Sequence, residues 1–87
     1  MKLKYEFEKV EMDGQIMAVP IGDSADELHA MLRLNETAAF ILDQLKDETT
    51  EDMVAEAACK SFEGDEGEIK AYIHAFLGML SEKGFLA

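Results

Sequence analysis

The chain has 87 residues and a formal net charge of −11, from 19 acidic and 8 basic side chains. That length makes one domain over residues 1–87. The charge argues against nucleic acid and against an anionic membrane, because both are held by clustered Lys and Arg. The one cysteine, Cys59, excludes an internal disulfide and a zinc site built of cysteines.

Residues 3–11 alternate, with Leu3, Tyr5 and Phe7 on one face and Lys4, Glu6 and Glu8 on the other. This spacing predicts a half-buried strand. Asp13-Gly14 follows as a two-residue hairpin turn, and residues 15–21 form the second strand, with Pro20 at its end or on an edge. A polar connection spans Gly22 to Glu27. The third strand is expected over residues 28–34, with Leu28, Ala30, Leu32 and Leu34 toward the core and His29, Met31 and Arg33 on the opposite face. A strand that runs straight into a helix, with no fourth strand after it, belongs at a sheet edge.

Asn35 stands where the alternation stops and helical spacing begins: Ala38, Ile41, Leu42 and Leu45. It is the expected N-cap of a helix over 36–46, with Glu36 suited to the first-turn dipole. Thr49 or Thr50 caps a second helix over 51–61, whose buried stripe reads Met53, Val54, Ala57 and Ala58. Asp65 caps a third over 66–83, with Ile69, Tyr72, Ile73, Phe76, Leu77 and Leu80 at helical spacing. Gly78 inside it is either tolerated or lets a neighbour approach closely. Lys83-Gly84 is a stop signal, with Phe85-Leu86 folding back on the core. Three strands followed by three helices give an α+β, winged-helix-like domain: a three-stranded antiparallel sheet followed by a three-helix bundle.

No catalytic constellation emerges. His29 and His74 have no metal-ligand partner at suitable spacing, the serines lack a supporting base, and Cys59 reads as a small buried hydrophobe. Glu48, Glu51 and Asp52 read as solvated helix ends. No cofactor and no enzymatic activity are expected. The start of the chain lacks a signal-peptide h-region and no apolar run approaches membrane-spanning length, so a soluble cytoplasmic protein is expected.

What remains is a binding surface. Tyr72, Phe76 and Met79 share one stripe of the third helix. Were that stripe to border the third strand, the two would form an apolar groove beside an unpaired strand edge, the geometry of strand addition by a peptide. Met31 and Met79 would suit an adaptable pocket.

Leu34-Asn35-Glu36-Thr37-Ala38-Ala39-x-Ile41 resembles the signature of the PqqD-like family, named after pyrroloquinoline quinone synthesis protein D. The likeness continues through Thr49-Thr50-Glu51-Asp52-Met53-Val54 and returns in Ile73-x-x-Phe76-Leu77-x-x-Leu80-x-x-Lys83-Gly84-Phe85-Leu86. It implies a non-catalytic domain that recognises the leader segment of a ribosomally made precursor peptide and delivers it to a modifying enzyme, such as a radical S-adenosylmethionine enzyme. In the family the leader adds as a strand beside strand three, against helix three. By position this points to Leu28, His29, Ala30, Met31, Leu32 and Arg33, and to Lys70, Tyr72, Phe76 and Met79. Two departures bear on pathway rather than fold: Leu42 stands where a Trp frequently follows Ile41, and no Gly precedes the motif. A leader rich in Lys or Arg would suit the acidic chain, whereas Arg33 and Lys70 beside the groove would suit acidic leader side chains. The alternative is a general interaction module or a homodimer through the same edge, which leaves monomer and homodimer both open.

Overall fold

The computed structural model describes residues 1–27 and 31–87. Strands β1 (Phe7–Met12) and β2 (Gln15–Pro20) pair antiparallel across a tight turn, with Phe7 opposite Pro20 and Met12 opposite Gln15. The turn residues Asp13 and Gly14 both have positive φ, 52° and 77°, as a two-residue hairpin of this hand requires. A one-turn helix, α1 (Asp23–Glu27), follows. Strand β3 (Leu32–Leu34) then pairs with β2, giving sheet order β1-β2-β3. Three helices complete the chain: α2 (Glu36–Gln44), α3 (Glu51–Ser61) and α4 (Glu66–Glu82). The architecture is α+β and winged-helix-like, as expected.

Several boundaries differ from the sequence reading. The stretch expected to be a polar connection contains α1, which Ser24 ties to the sheet: its hydroxyl accepts from the Glu6 amide at 2.8 Å. The first strand begins at Phe7 rather than Leu3, because Leu3 bridges to Leu86 instead and its amide bonds the Leu45 carbonyl at 2.9 Å. The third strand is three residues long; Met31 precedes it, and the expected strand residues Leu28, His29 and Ala30 lie outside the described residues. The first long helix ends at Gln44 and the last at Glu82.

The helix ends follow their caps. Asn35, Thr50 and Asp65 each accept from a backbone amide three residues on: Ala38 at 2.8 Å, Met53 at 3.2 Å and Glu68 at 3.3 Å. At the C-terminus of α4, Phe85 N–H reaches the Leu80 carbonyl at 2.9 Å and Gly84 N–H that of Ser81 at 3.0 Å. With Gly84 at φ 76° this is a Schellman motif, which needs a residue free to take positive φ. It turns Phe85 into the core, where its ring meets Tyr5 edge-on at 6.0 Å and Phe7 at 6.0 Å. Gly78 is the tolerated kind: a Cβ there would meet nothing within 4 Å.

The core gathers the predicted faces. Ile41, Leu45, Val54, Ile73 and Leu80 are fully buried, each contributing roughly 1.5–3 kcal/mol relative to exposure. Phe7, Ala18 and Leu34 join them from the sheet. On α3 the small residues Val54, Ala55 and Ala58 are buried, which lets α4 pack closely. The spacing places Met53 and Ala57 on that stripe, but Met53 is exposed and Ala57 half-buried, because Ala55 takes the inward position instead. Cys59 is half-buried rather than buried. No helix of the described residues is long and apolar enough to cross a membrane.

Ile73 joins α4 to this core with no exposed surface. Ile73→Ala is expected to cost about 2–5 kcal/mol, much of the roughly 5–10 kcal/mol available to a domain of this size. Urea unfolding measures it, and a loss below about 1 kcal/mol would contradict the packing described.

Candidate functional site

Strand β3 is an edge. Leu32, Arg33 and Leu34 pair with Ala18, Met17 and Ile16 of β2 on one side, and no strand pairs with the other side among the described residues. Such an edge presents unpaired N–H and C=O groups that can accept another strand. Along it Leu34 is buried, Leu32 half-buried and Arg33 exposed, the alternation that the sequence predicted. Met31, just before it, is 58% exposed.

Asn35 joins this edge to the last helix. Its carboxamide oxygen accepts the Ala38 N–H that caps α2 and also accepts the Tyr72 hydroxyl of α4 at 3.2 Å. One amide oxygen has two lone pairs, so both bonds can be held together. Tyr72 is thereby fixed at the end of β3. One turn further, Phe76 stacks on it, with ring centroids 6.2 Å apart and planes within 8°. Phe76 and Met79 are half-buried against the core while Tyr72 remains 37% exposed. The strand edge and the start of the Tyr72–Phe76–Met79 stripe therefore converge at Asn35.

Of the expected site residues, Leu32 and Arg33 lie on the edge, Met31 lies beside it, and Tyr72, Phe76 and Met79 form the stripe. Lys70 lies elsewhere. It lines a cavity between α3 and α4 with Asp52, Glu56 and Glu66, because two residues along a helix reverse the direction of the side chain. Leu28, His29 and Ala30 lie outside the described residues. The bond from Tyr72 to Asn35 lies outside what sequence spacing predicts. It spans 37 residues, and neither residue carries a local signal for it. His74 lies outside the stripe, with Nδ1 3.1 Å from the Glu51 carboxylate. Among the described residues, no group of three metal-ligating side chains comes together.

Residues 22–86 match the family described as coenzyme PQQ synthesis protein D (PqqD). No curated protein matches the chain. Two solved structures share its fold. One is described as TbiB1 in complex with the TbiA(beta) leader peptide, with TM-score 0.69 and 16% identity, over 99% of this chain and 94% of that one. The other is a lasso peptide synthetase B1 complexed with the leader peptide, with TM-score 0.67 and 23% identity, over 97% and 93%. The chain belongs to the PqqD family.

The shared oxygen of Asn35 makes a testable pair. Asn35→Ala removes the cap and is expected to cost about 1 kcal/mol in urea unfolding. Tyr72→Phe alone should cost less, since its bond is exposed. Added to Asn35→Ala, it should cost nothing more, and simple additivity would contradict the shared bond.

Proposed function

We propose that this member of the PqqD family is a non-catalytic carrier that binds the leader segment of a ribosomally made precursor peptide and presents it to a modifying enzyme in the cytoplasm. One observation carries this reading. A strand edge, β3, with no partner on its outer side among the described residues, meets an aromatic stripe on α4 at Asn35. Two structures of the same fold are described as complexes with leader peptides, which supports the same use of the fold here. A radical S-adenosylmethionine enzyme is one class of modifying enzyme that such a carrier would serve.

The leader enters as a fourth strand along β3, its main chain bonding to the free edge of Leu32–Leu34. Magnitudes apportion the work. Three or four main-chain hydrogen bonds contribute about 1 kcal/mol each net. Micromolar affinity needs about 8 kcal/mol. Leader side chains seated on Tyr72, Phe76 and Met79 must supply the larger share, at about 25 cal/mol per Å² of apolar area buried, because association also costs several kcal/mol of lost freedom. Arg33, exposed in mid-strand, would take an acidic leader side chain. Lys70 lies away from the groove and has no part in this contact.

The same edge argues against self-pairing. A symmetric antiparallel dimer centred on the described strand would set Arg33 opposite Arg33 of the second copy, and like charges directly opposed are destabilising.

Titration calorimetry with leader peptides encoded beside this gene tests the proposal. Phe76→Ala should weaken binding about tenfold, a loss of about 1.4 kcal/mol, with circular dichroism confirming the fold. N-methylation of a leader amide that faces β3 should weaken it further. Binding indifferent to N-methylation at every leader position would reject strand addition.

A further inference from the structure

The eight basic residues are scattered along the sequence but not in space. Four of them, Lys2, Lys4, Lys9 and Lys46, line one cavity of about 540 Å³. Only two of the chain's nineteen carboxylates, Glu6 and Asp43, line it with them. The cavity is thus a cationic recess in an otherwise strongly acidic protein.

The recess has fixed walls. One is the segment before β1, where the Leu3 amide bonds the Leu45 carbonyl at 2.9 Å and the Lys4 amide bonds the Phe85 carbonyl at 2.8 Å. The other is the last part of α2 and Lys46, two residues past its end, with Leu42 and Asp43 contributed by the helix. Asp43 pairs with both Lys9 and Lys46, the latter at 3.5 Å. Lys2 and Lys4 have no carboxylate within 4 Å among the described residues, and the Lys4 ammonium lies 5.6 Å from the Tyr5 ring centre. The lining is also apolar: Leu3, Phe7 and Leu42 contribute to it, as does Ile21, which is 38% exposed. The recess borders β1, and β2 separates β1 from the β3 edge.

We propose that this recess is a second recognition site, taking a segment of the modifying enzyme in which carboxylates alternate with Leu or Phe. The carboxylates would face Lys2 and Lys4, and the apolar side chains would cover Leu3, Phe7 and Ile21. The charge decides the class of occupant. A basic or neutral segment would meet two uncompensated ammonium groups, whereas an acidic one is repelled by most of the surface but attracted here, which fixes where it docks. That the acidic segment belongs to the modifying enzyme rests on the leader-carrier reading: a carrier must hold its enzyme on a surface left free when the β3 edge is filled.

The test is a titration of the ¹⁵N-labelled chain with acetyl-Asp-Leu-Glu-Phe-Asp-amide at low salt. Saturable amide shifts are expected at Lys2, Lys4, Phe7, Ile21 and Asp43, with Leu32–Leu34 and Tyr72 unmoved. Lys2→Glu combined with Lys4→Glu should weaken binding about tenfold, and Ile21→Asp should weaken it with both lysines in place. Acetyl-Lys-Leu-Lys-Phe-Lys-amide should not bind. The proposal is overturned by the absence of shifts at millimolar peptide, by equal binding of the basic peptide, by binding unchanged in the variants, or by equal shifts with succinate alone, which would mark a simple anion site. Leader binding is read on the separate amides of Leu32–Leu34, so either reading can fail alone.

Discussion

A single side-chain oxygen ties the end of the β3 edge to the aromatic stripe of α4. Asn35 Oδ1 starts α2 by accepting from Ala38, and it anchors α4 by accepting from Tyr72. Leu34, immediately before it, is buried, so β3 must end there with its side chain in the core. The cap sets where strand becomes helix, and the tyrosine bond sets which part of α4 lies against that junction. Without the second bond, the Tyr72–Phe76 stack would still lie on α4, but its side chains would not be tied to the end of the strand. Two weak, partly exposed hydrogen bonds thus bring together surfaces that are far apart in sequence, and small losses at Asn35 should matter more to the site than to the core.

The sheet and helices close on each other through the chain's two terminal stretches. The Schellman turn after α4 directs Phe85 against Tyr5 and Phe7, and Leu3 bridges Leu86. This closure also holds one wall of the lysine-lined recess in place. Its consequence is polarity across the sheet: β3 at one edge has no partner strand among the described residues, while the segment leading into β1 is pinned and cationic.

Much of this was legible beforehand because it is written locally. The Asp13-Gly14 turn, the three N-caps, the Lys83-Gly84 stop and the Ala38–Leu45 stripe each rest on chemistry within a few residues, and each appears in the structure. The α4 stripe was equally plain from its spacing. What was illegible is what depends on contacts between distant segments. Helix α1 is one turn in a run without an apolar face, held by Ser24 to the sheet. Leu3 continued the alternation of the first strand, yet it pairs with Leu86 because the far end of the chain competes for it. Met53 fits a helical stripe by spacing, but only packing against α4 decides which of several stripes is inward. Lys2, Lys4, Lys9 and Lys46 look scattered until the fold brings them to one cavity.

The proposed addition of a leader peptide to the β3 edge, against the aromatic stripe, can be read amide by amide. Hydrogen exchange on the edge amides tests it most directly. Saturating leader is expected to slow exchange at the outward-facing amide or amides of Leu32–Leu34, with smaller changes in β1. Tight binding that leaves those amides exchanging as in the free protein would contradict it and would place the leader elsewhere on the fold.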